Sequence, residues 1–504
     1  MRANSGRIRV LGSNLNRFQT HLLRGAKLLG NVIDGKAMIG RKLAINKTPA
    51  FGSGTASVLI SIVLLCLVSA KANPETHATK YSVDFKRFQL ENGLRVVLSK
   101  DNLAPVIAVA VYYDVGSRNE VKGRSGFAHL FEHMMFQGSE NVPKAGHFGY
   151  VENNGGDLNG STHDDYTNYY ELMPSSQLEL ALWLESDRMR SLKITPENLK
   201  NQQEAVKEEK RLSIDNQPYS AAYTTLDEMV FSNWANAHPT MGSMKDLDAA
   251  RLEDVREFFE TYYAPNNAVL CVAGDIDYVE AEGLVRKYFS AIPRHKDPAA
   301  PSVEEPQAVA RQVLWVRDAH AKVPALAMEW KIPGRRSPDR YAIALLKSIL
   351  LDGKSARLYQ KLVKERAVCI EVGGSIDLTR GPSDFSILLV HKANVRASKV
   401  RTIVESEINR IAKEGVSQEE LARAKNQYRL SRFVGDAEGD QYTGLQTAEG
   451  RALALAEYTL FDGDPSLINT ELDRYLEVTT DQVRAAAVNY LGRVNRSVLY
   501  IRQK

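Results

Sequence analysis

The chain has 504 residues, 44% of them hydrophobic and 25% charged, which excludes a disordered or low-complexity protein and allows two or three domains with full cores. The formal net charge of +4 resides at one end: residues 1–72 hold eleven Lys and Arg against a single acid, Asp34, which leaves 54 bases and 60 acids in the remainder. A basic nucleic-acid footprint is thereby excluded.

Within the leader, Ala56 to Ala70 is a 15-residue apolar or small run, preceded by Arg41, Lys42 and Lys47 and followed by Ala70-Lys71-Ala72. Such a run is short for a membrane span and ordinary for the apolar part of a secretory signal with an Ala-x-Ala cleavage site. Export to a bacterial periplasm is expected, with membrane contact only through residues 56–70. The alternatives are an uncleaved anchor facing the periplasm and a presequence for the mitochondrial matrix. Translation beginning at Met38 would account for the long basic leader.

Residues 95–98 and 106–113 read as strands joined by Lys100-Asp101-Asn102. After them comes Ser125-Gly126-Phe127-Ala128-His129-Leu130-Phe131-Glu132-His133-Met134-Met135-Phe136, a helix without a wet face and with Ser125 as its expected N-cap. His129 and His133 fall one turn apart on one face with Glu132 beside them, a spacing that lets two imidazoles bind one zinc ion. A buried cluster in which Glu132 pairs with a charged histidine is the alternative. Gly155 to Thr162 gives a tight turn and then small residues, open to close approach by another backbone. His163, Asp164 and Asp165 read as surface polar residues. In the helix from Glu197 to Leu212, Glu209 lies among Leu199, Ala205, Val206 and Leu212, while Glu204 and Glu208 point away. Taken alone, Glu209 is either a third ligand or an inward acid paired with a base.

Segments then recur in order. Residues 194–199 resemble 416–421, and residues 252–256 resemble 480–484, at offsets of 222 and 227 or 228. This predicts an α+β fold of two homologous α/β-sandwich-type domains, each an antiparallel-rich sheet with helices packed on it. The expected divisions are a leader and signal at 1–72, a first domain at 81–296, a proline-containing linker at 297–308 and a second domain at 309–504. The second copy of the histidine helix, Tyr341 to Leu350, has no histidine. Cys271 and Cys369 read as buried small hydrophobes.

The stretches Gly126 to Met134, Glu204 to Glu209 and Tyr262-Tyr263-Ala264-Pro265-Asn266-Asn267 resemble the inverzincin metallopeptidases, which include pitrilysin, insulysin and the mitochondrial processing peptidase. The resemblance spans residues 81–504. It implies a zinc endopeptidase in which His129, His133 and Glu209 hold one zinc ion and Glu132 is the general base. It also implies that Asn159, Gly160, Ser161 and Thr162 form the strand that pairs with an extended peptide, although Gly160 stands where alanine is usual. Gln202, seven residues before Glu209, stands where some members carry an acid that supports the metal ligands. Val363 and Ile370, or Leu362 and Cys369, stand where an Arg and a Tyr hold the substrate in single-chain members. A homologous partner subunit supplying that pair is therefore expected, or else a homodimer; a non-catalytic assembly subunit on the same fold is the competing class.

Overall fold

A computed structural model of the chain describes residues 81–435 and 444–503. The leader and the apolar run at 56–70 lie outside the described residues, among which no helix is long and apolar enough to cross a membrane. The fold is mixed α/β with two sheets.

The first sheet contains β1 (Lys86–Gln89), β2 (Arg95–Lys100), β3 (Val106–Tyr113), β4 (Asp157–Thr162), β5 (Thr167–Pro174) and β6 (Ala268–Gly274), in the order β1-β2-β6-β3-β5-β4. The second contains β7 (Val313–Asp318), β8 (Ala325–Ile332), β9 (Cys369–Asp377), β10 (Ser383–His391) and β11 (Arg496–Gln503), in the order β7-β11-β8-β10-β9. Apart from β1 the two orders coincide strand for strand. So do the directions: β2–β6 and β7–β11 are parallel, and every other pair is antiparallel. The duplication read from the offsets is therefore a duplication of topology. The central strands β3, β6 and β8 are near-continuous apolar runs because both of their faces are covered.

The helices of eight residues or more in the first half are α1 (Phe127–Met134), α2 (Gly146–Asn153), α3 (Leu178–Ser191), α4 (Pro196–Lys210), α5 (Ala221–Val230), α6 (Leu252–Tyr262) and α7 (Tyr278–Phe289). Those of the second are α8 (Arg340–Leu351), α9 (Ala397–Glu414), α10 (Gln418–Val434), α11 (Ala448–Phe461), α12 (Leu467–Glu477) and α13 (Thr480–Tyr490). Thr195 and Ser417 cap the equivalent helices α4 and α10, each side chain accepting a backbone N–H of the first turn.

Two helices cross over. α5 belongs to the first half, yet its Ala222, Leu226 and Met229 pack on Ala325, Ala327 and Leu499 of the second sheet. α11 belongs to the second half and lays Ala452, Leu455 and Phe461 over one face of the first sheet, against β3 and β6. Each fully buried aliphatic side chain in these layers contributes roughly 1.5–3 kcal/mol, so each half depends on the other to cover one of its sheets.

The halves are also tied at the strand turns. Arg118 meets Asp165 at 3.3 Å and donates to the Pro382 carbonyl at 2.9 Å, while the Arg380 backbone N–H donates to Asp165 at 2.7 Å. Asp165 is buried, and the expectation that residues 163–165 are plain surface polars is corrected: a carboxylate between two arginine-bearing loops is a junction.

Candidate metal centre

Every residue of α1 is buried, including His129, Glu132 and His133. Ser125 is not its cap. The helix starts after Gly126, at φ +86°, where a Cβ would lie 2.7 Å from the Met241 carbonyl oxygen. The Ser125 backbone and hydroxyl both donate to Asp246, at 3.1 and 2.5 Å. The free N–H groups of Gly126 and Ala128 instead donate to the buried carboxylate of Glu120, each at 2.8 Å, and Glu120 is held in turn by His238 Nε2 at 3.0 Å. An acid seven residues before the helix carries no short-range capping signature, so Glu120 could not be found from the sequence.

The first turn of α4 is capped by Thr195, and its inward stripe of Leu199, Gln202 and Val206 leads one turn later to Glu209. Glu204 and Glu208 are 62% and 58% exposed, against 22% for Glu209. Leu212, expected on the apolar arc, is exposed, because a π-helical turn from Arg211 to Asp215 follows α4 and rotates it outward.

Glu209 Oε2 stands 3.1 Å from His133 Nε2 and 3.8 Å from His129 Nε2. The three donor atoms lie within 4.8 Å of one another. None of them completes a hydrogen bond, although all are buried. Two imidazole nitrogens and a carboxylate oxygen, converging without hydrogen-bond partners, are a donor set that would fit a zinc ion. Burial, with the neighbouring charges secondary, depresses His129 to about 4, so its ring is neutral. Burial also pulls on His133, but Glu209 facing it outweighs that and raises it above the usual histidine value. Gln202, buried, lies beside the His133 ring and favours its charged form.

Glu132 is 1% exposed and burial lifts it to about 7, against the opposing pull of His133 and of Thr162, whose hydroxyl donates to Glu132 Oε2 at 2.6 Å. β4 lies against α1 and is an edge strand, hydrogen-bonded only to β5. Its residues alternate. Gly160 and Thr162 face α1; a Cβ on Gly160 would come within 3.2 Å of Glu132 Cγ. Asn159 and Ser161 lie on the other face. Thr162 is buried and engaged by Glu132, so its side chain is not available to a ligand running along the edge.

A second group, His147, Glu171 and Glu185, also brings three possible ligand atoms within 4.8 Å of one another. Here a cation is already present. Arg188 pairs with Glu185 and stacks 4.5 Å over Tyr169 and 5.2 Å over Phe136, while His147 contacts Glu171. This is a buried ionic network beneath α1. In the second half Leu362 and Cys369 are buried, Val363 is half-buried and Ile370 is 55% exposed, and none is a strong donor.

A duplicated α/β fold that, among the described residues, has a metal-type donor set in the first copy and none in the second defines a restricted class, and comparison with known proteins agrees. The family description "Insulinase (Peptidase family M16)" matches residues 95–243, and "Peptidase M16 inactive domain" matches residues 249–428. The chain belongs to the M16 peptidase family, the pitrilysin type. It is 27% identical to the zinc protease PqqE of Helicobacter pylori, over 88% of this chain and 97% of that one. It is 26% identical to the beta subunit of the mitochondrial-processing peptidase of Lentinula edodes, over 52% of this chain and 56% of that one. Among solved structures, a protease from Helicobacter pylori superposes with a TM-score of 0.77 at 24% identity, covering 84% of this chain and all of that one. The periplasmic protease PqqL of Escherichia coli superposes at 0.67 and 18% identity, covering 84% of this chain and 48% of that one.

Proposed function

We propose that this chain is a zinc-dependent endopeptidase that cleaves extended peptides or unfolded segments. His129, His133 and Glu209 hold one zinc ion in a first domain at 81–296, and the described residues of the homologous domain at 309–504 bring together no such ligand group. The observation that carries the reading is the convergence of three buried donors with no hydrogen-bond partners. Bound there, zinc supplies a Lewis acid for the scissile carbonyl and for water. Glu132 takes the proton from the attacking water and returns it to the leaving amine; a carboxyl lifted to about 7 suits both transfers. Thr162 holds one Glu132 oxygen in place, and Gln202 steadies His133. The free edge of β4, with Asn159 and Ser161, pairs with the peptide main chain, and Gly160 keeps the strand close to Glu132.

Val363 and Ile370, or Leu362 and Cys369, at the positions where an Arg and a Tyr are expected support a second, homologous subunit that supplies that pair, the mitochondrial relative being itself named a subunit; a homodimer is the simpler alternative. The apolar run at 56–70 and the periplasmic address of the PqqL relative support export. The test is metal analysis with peptide hydrolysis. About one zinc per chain, lost in His133→Ala, and cleavage lost in Glu132→Gln with zinc retained are the expected results. Metal-free protein that folds normally would assign the chain to an assembly role. Full cleavage by the isolated chain, unchanged by a paralogue from the same genome, would remove the partner.

A further inference from the structure

The two sheets match strand for strand except at one edge. In the first, β1 runs antiparallel along β2 and closes it. In the second, β7 takes the place of β2, parallel to β11 as β2 is to β6, and among the described residues no strand lies beyond it. The Val498 N–H donates to the Gln312 carbonyl at 2.8 Å, so the backbone groups of Leu314 and Val316 turn toward β11. Those of Val313, Trp315 and Arg317 point outward. Among the described residues no backbone hydrogen bond reaches them.

Folded proteins guard open edges with bulges, glycine or proline breaks, short strands or charge, because a bare edge pairs with other chains. Three of the four edges here follow that rule. β1 has four residues, β9 carries Gly373, Gly374 and a register shift between Val390 and His391 of its partner strand, and β4 carries Gly160. β7 does not. Val313-Leu314-Trp315-Val316 is wholly apolar, and its register with β11 is unbroken. Val313 is 47% and Trp315 52% exposed. The Trp315 ring stacks on Tyr500 at 4.0 Å, and the Arg502 guanidinium lies 4.3 Å over it. An exposed aromatic already held by its neighbours loses little freedom when it is covered.

The pattern of the strand points to a second copy of itself as the occupant. Two β7 strands paired antiparallel about a two-fold axis set residues of one sheet face opposite each other. Centred on Trp315, the register opposes the two Trp315 rings and lays Val313 on the aliphatic stem of Arg317 of the second copy. It also opposes Leu314 and Val316, which are half-buried at the edge of the α5 cluster, so that apolar layer continues across the axis. Centring on Leu314 instead would oppose Arg311 and Arg317, and centring on Val316 would oppose Leu314 and Asp318. We propose that the open edge of β7 is a seam between two copies of this chain, joined antiparallel about Trp315 so that their five-stranded sheets run on as one. The inference is independent of the peptidase reading, since β7 contributes nothing to the metal centre.

The test is sedimentation equilibrium of the full chain as isolated, over a concentration series. The parent should be a dimer. Trp315→Pro removes an outward N–H and no bond to β11, and should give a monomer with the parent's circular dichroism. Trp315→Lys and Trp315→Glu each set like charges face to face at the axis and should be monomeric alone, and mixing them should restore a dimer. That rescue follows from residue 315 facing itself, which loss of folding cannot imitate. A parent that is monomeric throughout the series, a dimer that survives Trp315→Pro, or Lys and Glu variants that stay apart on mixing would each overturn the seam. Zinc content and peptide cleavage are read separately on the same samples, so failure of the peptidase reading is distinguishable from failure of the seam.

Discussion

His133 and His129 share one turn of helix but differ in charge. His133, raised by Glu209, must shed its proton before it can donate a lone pair, whereas His129, depressed to about 4, is neutral already. Zinc affinity should therefore fall as pH drops below the His133 value, with about one proton released per ion bound near pH 6, read by calorimetry in buffers of different ionisation enthalpy. Thr162 gives a second test. Its hydroxyl stabilises the charged form of Glu132, so Thr162→Val raises the Glu132 pKa further and the acid limb of the kcat/KM profile moves to higher pH. Glu132→Gln should cut kcat by about 10²–10⁴-fold at unchanged zinc content. Glu209 was legible from sequence because helical periodicity alone sets which carboxylate of α4 turns inward. Glu120 and the inward role of Thr162 were not, since their partners come from separate elements and follow no local period.

At the scale of elements, α1 is a short, fully buried helix whose free N–H groups depend on Glu120 rather than on its own flank. Glu120→Ala leaves two buried donors unmatched and should destabilise the fold by about 2–4 kcal/mol in urea titrations. Beneath it, Arg188→Met would leave Glu171 and Glu185 facing each other without their cation, at a cost of about 3–5 kcal/mol in the same measurement. The strands β2 and β3 were readable because runs of β-branched residues are local signals. β1 and the π-helical turn after Lys210 were not: one is a short, mostly exposed edge strand, and the other breaks the period on which Leu212 was placed.

For the whole molecule the decisive feature is the reciprocal covering of the sheets by α5 and α11. Amphipathic spacing states that a helix must be buried but not against which sheet, so the exchange could not be read from the chain even though the duplication could. Cutting the coil at 297–308 with an inserted protease site should leave the fragments co-eluting on size exclusion with zinc content intact. Either fragment expressed alone should aggregate through its bare sheet, and co-expression should rescue both.

That covering also bears on descent. A forerunner one repeat long would have carried its crossing helix with no sheet of its own to place it on, so it could have folded only by trading that helix with an identical molecule. On the proposed reading such a pair would have held two equivalent ion sites, and fusion of the genes would have left one site free to lose its ligands while the other kept them. A tandem of residues 81–296 joined to itself should rebuild the ancestral state, taking up about two zinc ions per chain.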